Sequence, residues 1–439
     1  MKKFLMTTFI FALLFFVKMN IIEAQTPALV GYWHNWNTTD APFIPLNNID
    51  TTYNVIVVSF AVPTSYNDMT MVFVPEQYTT ANFISHIQQL QNSGKKVLLS
   101  IGGATGVINI ADNTQKQNFI NSMNNLITTY GFDGIDIDIE HGDCISASGT
   151  IAAPTDPGTL NLINAIQSIM ATFQQNHGHK MWLTMAPETA YVQGGMSGYG
   201  SIWGGYLPLI HALRNELDIV SVQLYNSGTI YGLDGNIYTQ GTADFIIALT
   251  EATIRGFNTA GGFFEGLPAS KVTVGLPACV TAAGGGFTDT ADVAAAIRYL
   301  KGEGTKPGSY TLINPDGYPD LRGMMTWSIN WDAVNCCGAY TFAQNYRNLF
   351  LPSVINNINE NHKTYSYYIY PNPANDYLKI VSNNDLLDFK WITITDLNGK
   401  VVFSKFMELN QSINIEDLKN GIYFLSIDQK INLKFIVQH

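Results

Sequence analysis

Three acidic side chains alternate with isoleucines in the stretch GIDIDIE, from Gly134 to Glu140. Side chains on a β-strand point alternately to opposite faces, so Asp136, Asp138 and Glu140 would share one face at intervals of about 6.7 Å. Burying an unpaired carboxylate costs several kcal/mol, so a purely structural strand would avoid this pattern. Carboxylates this close cannot all ionise, and at least one should hold a proton near neutral pH. Such a carboxyl group can act as a general acid, which is the chemistry that the stretch predicts.

Glu140 is the strongest candidate for the acid because it stands at the carboxyl end of the stretch, where the active sites of parallel barrels lie. Asp133 is out of phase with the other acids, and we expect it to shape the turn into the strand. The alternative is a metal site or a structural network of acids. Hard metal ions usually draw ligands from a loop rather than from every second residue of one strand, which disfavours that alternative.

Eight short apolar runs, alternating with amphipathic segments, would position these acids. TANFISHIQQLQNSG, NTQKQNFINSMNNLITTYG and TADVAAAIRYLKGEG are typical of helices that end near a glycine. Hydrophobic strands alternating with helices indicate parallel βα units, and eight units predict an α/β fold, a (β/α)8 TIM barrel over 25–352. A doubly wound open sheet is the alternative, but no G-x-G-x-x-G follows a strand. The predicted strands are 28–33, 54–62, 96–103, 134–140, 181–188, 219–226, 271–278 and 323–330.

Several stretches resemble glycoside hydrolase family 18, the chitinases and related endo-β-N-acetylglucosaminidases. DGIDIDIE is similar to the family's D-x-x-D-x-D-x-E signature, and LLSIGG (98–103) resembles the S-x-G-G strand that precedes it. MAPE (185–188), QLYN (223–226) and MTWSINWD (325–332) resemble later signatures, the last of them typical of bacterial chitinases. The resemblance extends from about Leu29 to Leu351 and includes all eight predicted strands.

The resemblance implies a retaining hydrolysis in which the substrate supplies the nucleophile, with neither metal nor cofactor. Glu140 would protonate the glycosidic oxygen while the substrate's 2-acetamido oxygen attacks the anomeric carbon and forms an oxazolinium ion. Asp138 would orient the acetamido group and stabilise its positive charge, and Asp136 would share a proton with Asp138. Tyr225 would hydrogen-bond the acetamido oxygen.

Aromatic and polar side chains near the strand ends would bind the sugar. Trp327 would form the floor beneath the sugar at the cleaved position, since an indole face stacks on the C–H face of a pyranose. The alternative for Trp327 is a core residue that fills the barrel. Trp36, just past the first strand, is a second candidate for the same stacking role. Tyr32, Met185, Gln223 and Asn226 are expected to line the pocket, and barrel filling stays open as the alternative for each of these four.

The interval between the seventh and eighth predicted strands, 279–322, is short and must also hold a helix. Some family members carry a sizeable α+β insertion there that walls the cleft. Its absence predicts a shallow open cleft and endo-type attack on long chitin chains. An endo-β-N-acetylglucosaminidase of N-glycans would use the same acid and mechanism, whereas a chitin-binding lectin on this barrel would usually lack the acid.

Both ends of the chain resemble export signals. Two lysines, a short apolar run and Ala24 predict a signal peptide over 1–24, with an uncleaved anchor as the alternative. A polar linker at 353–367 precedes short alternating runs around Asn398-Gly399, which predict a small antiparallel β-sandwich over 368–439. YPNPANDYLKI and LKNGIYFLSI resemble the C-terminal sorting domain of type IX secretion. This implies the secretion machinery as a partner and a secreted or cell-surface location; the alternative is a carbohydrate-binding module.

The composition sets limits on partners. A net charge of −11 disfavours nucleic acid and anionic membranes, because the lysines and arginines needed to neutralise phosphate are lacking. The resemblance to family 18, rather than the composition, implies chitin or N-acetylglucosamine oligosaccharides as the partner. The four cysteines permit disulfides in an exported protein, and their pairing stays open.

Overall fold

The computed structural model describes residues 27–140, 144–334, 338–351, 367–382, 389–408, 411–427 and 431–439. The chain divides into two compact units at 354/355. The predicted signal peptide lies outside the described residues. So does the predicted linker apart from Tyr367, which begins a strand. None of the described helices combines the length and hydrophobicity that a bilayer span needs.

Eight parallel strands form a closed barrel in the first unit. Each strand pairs with the next along the chain, and the eighth pairs with the first, which confirms the predicted TIM barrel. The strands are β1 (Ala28–His34), β2 (Val55–Pro63), β3 (Lys96–Gly102), β4 (Gly134–Asp138), β5 (Trp182–Met185), β6 (Ile219–Gln223), β7 (Val272–Pro277) and β8 (Gly323–Trp327).

Helices connect the strands. In α2, Asp112 and Gln115 form a capping box, and Gly131 ends the helix at φ +75°. The helices are α1 (Thr80–Asn92), α2 (Asn113–Tyr130), α3 (Pro157–His177), α4 (Leu207–Ala212), α5 (Ala243–Arg255), α6 (Thr290–Leu300), α7 (Ile329–Ala333) and α8 (Thr341–Phe350). Short hairpins follow β6 and α5, with strands at Thr229–Tyr231, Ile237–Thr239, Phe257–Thr259 and Gly262–Phe264.

Side chains along β4 alternate between the two faces of the barrel wall, as predicted. Ile135, Ile137 and Ile139 belong to the large apolar cluster that also contains buried residues of the surrounding helices. Asp136 and Asp138, on the other face, are 1% and 3% exposed. The outward face thus secures β4 to the helices, while the inward face carries the carboxylates.

Several strands end sooner than predicted. The four predicted runs that end at residues 140, 188, 226 and 330 leave the sheet at Asp138, Met185, Gln223 and Trp327, respectively. Glu140, Tyr225 and Asn226 therefore lie beyond the last paired residues of their strands and can turn toward the barrel mouth. The interval 279–322 is described throughout, and α6 is its single regular element.

The second unit consists of two antiparallel sheets. One contains β9 (Tyr367–Tyr370), β10 (Tyr377–Ser382) and β13 (Ser412–Asn414). The other contains β11 (Phe389–Thr395), β12 (Val401–Glu408), β14 (Gly421–Ile427) and β15 (Ile431–Val437). One apolar cluster contains buried residues of both sheets, including Leu378 and Leu425, which confirms the predicted sandwich.

The predicted turn at Asn398-Gly399 joins β11 to β12. Gly399 has φ +77° and donates its N–H to the Asp396 carbonyl oxygen at 3.0 Å. In the first unit, Cys279 is disulfide-bonded and Cys144 is buried.

Candidate active site

Asp136 lies inside the barrel, where three hydroxyl groups donate hydrogen bonds to its carboxylate. Oδ2 accepts from Tyr32 and Ser100, both at 2.7 Å, and Oδ1 accepts from Thr184 at 2.5 Å. Ser100 and Thr184 stand in register with Asp136 on β3 and β5, so the three side chains share the inward face. Burial raises the pKa of Asp136, although the three hydrogen bonds oppose the shift by stabilising the anion.

Asp138, two residues further along β4, has different neighbours. Its Oδ1 accepts a hydrogen bond of 2.8 Å from Nε2 of Gln223. The same nitrogen lies 2.9 Å from the Ala186 carbonyl oxygen and 3.4 Å from Oε1 of Glu140. Burial raises the pKa of Asp138 well above its ordinary value, and the charges of Glu140 and Asp136 raise it further. The Gln223 amide therefore joins the two carboxylates nearest the barrel mouth.

Two buried tyrosines hold the backbone on which Glu140 stands. The Tyr191 hydroxyl donates to the Glu140 carbonyl oxygen at 2.7 Å. The Tyr206 hydroxyl donates to the Ile139 carbonyl oxygen at 3.0 Å and accepts from the Ile139 N–H at 2.8 Å. These contacts fix the chain just beyond the end of β4. Glu140 is half-buried there, and its side chain lines a cavity.

Two glycines at the end of β3 allow close approach to Asp138. Gly103 donates its N–H to the Asp138 carbonyl oxygen at 2.6 Å, and a Cβ atom on Gly102 would lie 2.5 Å from the same oxygen. A Cβ atom on Gly103 would lie 2.7 Å from the Phe60 ring. The stretch LLSIGG ends in glycines because backbone and ring atoms occupy the space that side chains would need.

The cavity has a volume of about 530 Å³ and is lined by both acidic and aromatic side chains. The Trp327 ring stacks on Phe60 with 5.9 Å between centroids and an angle of 18°. It also lies 5.8 Å from the Tyr32 ring. Tyr225 lines the same cavity, and burial raises the pKa of its hydroxyl well above the ordinary value. Tyr225 is therefore a neutral hydrogen-bond donor at physiological pH.

Asn226 holds the loop that follows β7. Its Oδ1 accepts from the Gly285 N–H at 3.1 Å, and its own N–H donates to the Gly285 carbonyl oxygen at 3.0 Å. Its backbone is in the left-handed region at φ 52°, which asparagine tolerates better than most residues. The side-chain oxygen of Asn226 is thus engaged within the protein.

The arrangement fits acid catalysis on a sugar: a half-buried carboxyl group, buried carboxylates beside it and a stacked aromatic floor. Comparison with known proteins agrees with this chemistry. Residues 28–375 match the family model described as glycosyl hydrolases family 18. The chain belongs to glycoside hydrolase family 18.

Relatives within family 18 are similar over most of the first unit. Chitinase D of Niallia circulans and a chitinase of Paenibacillus xylanexedens are each 48% identical to this chain over 70% of its length. The chain spans 58% and 59% of the length of these two relatives, respectively. The crystal structure of a family 18 chitinase from Chromobacterium violaceum is 36% identical, with a TM-score of 0.66, and the match covers 74% of this chain and 85% of that one.

The second unit has a match of its own. Residues 368–438 match the model of the secretion system C-terminal sorting domain. The resemblance seen in YPNPANDYLKI and LKNGIYFLSI is thereby confirmed.

The family 18 barrel brings most of the predicted site residues together. Asp136 lies in the interior, bonded to Tyr32. The predicted residues that line the cavity are Tyr32, Trp36, Asp138, Glu140, Gln223, Tyr225, Asn226 and Trp327.

Met185 was predicted to bind substrate, and the structure places it elsewhere. It is fully buried, stands in register with Ile137 and belongs to the apolar cluster around the barrel. It therefore packs on the outward face of β5 and does not line the cavity. The inward neighbour on that strand is Thr184, because alternate residues face opposite ways.

Some residues in and around the cavity were not predicted from the sequence. Ser100 and Thr184 could have been found by aligning the strands, since both fall in register with Asp136. Asn35 lies in none of the motifs or predicted strands, so the sequence did not indicate it. Its side chain bonds the Val74 carbonyl oxygen at 2.7 Å and the Glu76 N–H at 3.1 Å, which brings Glu76 to the cavity wall.

Proposed function

We propose that the protein is an exported, endo-acting chitinase that hydrolyses β-1,4 bonds between N-acetylglucosamine units and retains the anomeric configuration. The observation that carries the proposal is the placement of Glu140. Its half-buried carboxyl group lines the cavity beside Trp327 and is joined through Gln223 to the buried Asp138. The two relatives named as chitinases support the substrate class.

Glu140 is the general acid of the proposed reaction. Its carboxyl group gives a proton to the glycosidic oxygen, the bond from that oxygen to the anomeric carbon breaks, and the leaving chain departs with a new hydroxyl. The substrate's acetamido oxygen forms a bond to the same carbon and gives an oxazolinium ion. Water then attacks that carbon from the side of the departed chain, the bond from the carbon to the acetamido oxygen breaks to restore the acetamido group, and the Glu140 carboxylate accepts the proton from the water.

Asp138 and Tyr225 act on the acetamido group. Asp138 stabilises the positive charge that develops on it, and this effect is strongest in a site from which water is excluded. Tyr225, whose hydroxyl stays protonated, donates to the acetamido oxygen and orients it. A substrate without acetamido groups could not form the oxazolinium ion, so we expect fully deacetylated oligomers to resist cleavage.

Asp136 and Asp138 hold one proton between them in the resting site. Burial raises the pKa of both, so double ionisation is unfavourable. Asp136 is surrounded by hydroxyl donors, which favour its anion. Asp138 therefore carries the proton at rest, and the proton moves to Asp136 when positive charge develops on the substrate.

Endo-type attack is supported by the interval 279–322, in which α6 is the single regular element. An α+β wall across the cleft is absent from this fully described interval, so a long chain can lie across the barrel mouth. Size analysis of the first products from a long soluble substrate tests this. Early mid-length fragments support endo attack, whereas release of dimers alone from the outset contradicts it.

The alternative substrate is an N-glycan with a chitobiose core, cut by the same acid. Turnover of chitin oligomers and of a high-mannose glycopeptide, measured side by side, separates the two. Cleavage of the oligomers supports the chitinase. Cleavage of the glycopeptide alone would identify an endo-β-N-acetylglucosaminidase with the same mechanism. Binding of both substrates without cleavage of either would identify a lectin.

Export is proposed to use both ends of the chain. The match at 368–438 indicates secretion or cell-surface export. A signal peptide over 1–24 would carry the chain across the inner membrane, and the sorting domain would engage the type IX machinery at the outer membrane.

A further inference from the structure

The last residue of β1, His34, packs against both tryptophans that line the cavity. Its ring centroid lies 4.6 Å from that of Trp36 at an interplanar angle of 9°, and 4.8 Å from that of Trp327 at 40°. His34 is 3% exposed and does not itself line the cavity. It therefore contacts the two indole rings from the protein side, and both rings also pack on Phe60.

A hydrogen bond ties the His34 ring to the end of β8. Nε2 of His34 lies 2.8 Å from the hydroxyl oxygen of Ser328, the residue that directly follows Trp327. The same oxygen accepts from the Trp331 N–H at 3.3 Å, which orients the hydroxyl group. The His34 backbone N–H donates to Oδ1 of Asn330 at 2.9 Å. The plane of the imidazole is thus set by β8 as well as by β1.

The chemistry of the imidazole indicates why a histidine stands here. Burial lowers its pKa to about 4, so the ring is neutral at physiological pH. Its Nδ1 is buried without a hydrogen-bond partner among the described residues, which is unfavourable. A phenylalanine would pack against the same two indoles without that penalty. The hydrogen bond to Ser328 is the property that histidine adds.

We propose that His34 is a positioning residue for the sugar-binding site: its bond to Ser328 fixes the ring against which Trp36 and Trp327 pack. The two indole faces are thereby held at a constant angle to Asp138 and Glu140. This inference rests on the proposed function, because it assigns the two rings to the sugar. Small displacements of a substrate from its reactive geometry lower the rate more than the affinity, so the effect falls mainly on kcat.

The test is a double-mutant cycle with His34→Phe, Ser328→Ala and the pair, assayed on chitin oligomers. We expect each single variant to lower kcat roughly tenfold or more with a smaller change in KM. The double variant should be no worse than Ser328→Ala, because that variant already removes the bond to His34, together with the bond that the hydroxyl accepts from the Trp331 N–H. His86→Gln is the matched control and should keep the wild-type kcat, because it removes a contact of 3.0 Å between a histidine on α1 and the Tyr78 hydroxyl.

Wild-type kcat and KM in folded His34→Phe would overturn the proposal, as would fully additive losses in the double variant. If His34→Phe fails to fold, Ser328→Ala alone tests the proposal. A wild-type kcat in Ser328→Ala would then overturn it. Tryptophan fluorescence measures oligomer binding. This measurement distinguishes a failure of the His34 proposal from a failure of the proposed function. A wild-type protein that neither binds nor cleaves oligomers refutes both; a wild-type protein that cleaves them normally leaves only the role of His34 in question.

Discussion

Asp136 and Asp138 lie two residues apart on one face of β4 and yet have different environments. Asp136 accepts three hydroxyl hydrogen bonds, whereas Asp138 accepts one from an amide and faces the charge of Glu140. A hydroxyl donor stabilises a carboxylate, and a neighbouring negative charge destabilises it. This difference supports the separate tasks that we propose for Asp136 and Asp138.

Replacing Asp138 with asparagine tests this division. We expect kcat on chitin oligomers to fall roughly 10²-fold or more, because a neutral amide cannot stabilise the oxazolinium ion. Asp133→Asn is the matched control from the same motif. Asp133 accepts from the Val97 N–H at 2.9 Å at the opposite end of β4, so its loss should lower stability and leave kcat near the wild-type value. Equal kcat in Asp138→Asn and the wild type would contradict the assignment.

The depressed pKa of His34 predicts a pH-dependent stability. Between its ordinary pKa of 6.5 and about 4, the unfolded chain binds a proton that the folded protein does not. The free energy of unfolding should therefore fall as pH is lowered through this window, by up to about 1.4 kcal/mol per pH unit. His34→Phe should remove this contribution. Urea unfolding of both proteins from pH 4 to 7 measures it, and parallel curves would be inconsistent with a buried neutral imidazole.

At the scale of elements, the strand ends determine what enters the cavity. Glu140, Tyr225 and Asn226 all follow the last paired residue of their strands. The strands supply a rigid base, and the first unpaired residues can turn inward. Loops anchored by buried polar groups support them.

One such anchor connects α5 to the segment before β8. Glu251 is fully buried and accepts hydrogen bonds from the hydroxyls of Tyr310 at 2.6 Å and Tyr318 at 2.7 Å. It also accepts from the N–H groups of Ile313 and Asn314, at 3.0 and 3.1 Å from Oε1. Every oxygen of this carboxylate therefore faces donors.

Glu251→Gln should lower the free energy of unfolding by about 1–3 kcal/mol, since the new NH₂ group would face donors instead of acceptors. Activity of the folded enzyme should change little, because Glu251 does not line the cavity. The comparison variant is Glu303→Gln, which removes an ion pair between Lys301 and the exposed Glu303 carboxylate and should cost under about 1 kcal/mol. Equal unfolding energies of the two variants would show that Glu251 is not an anchor.

The elements were largely predictable from the sequence, because apolar periodicity and glycine caps are local properties. Alternation along β4 was sufficient to place Asp136 and Asp138 inside the barrel. Met185 was misplaced because its strand is short and the motif alone does not state which residues face inward. His34 could not be found, because its contacts with Trp327 and Ser328 join β1 to the end of β8 across the whole length of the barrel sequence.

At the scale of the whole molecule, the two units have separate apolar cores. The barrel cluster and the sandwich cluster share no residue. A unit with its own core can fold when the other is removed. The two functions proposed here, hydrolysis and export, can therefore be separated by truncation.

Deleting 365–439 should abolish export and leave turnover of chitin oligomers intact. Secreted and cell-bound activity of the truncated and full-length chains, expressed in a host with type IX secretion, provide the measurement. Normal export together with weaker binding to insoluble chitin would instead identify the second unit as a carbohydrate-binding module.

We propose that Glu140 is the acid of a chitin-cleaving site. The most direct measurement is turnover of chitin oligomers by the wild type and Glu140→Gln, with oligomer binding measured on both. We predict internal cleavage by the wild type and a loss of roughly 10²–10⁴-fold in kcat for the variant, which keeps its affinity. A variant that cleaves at the wild-type rate would contradict the assignment of Glu140.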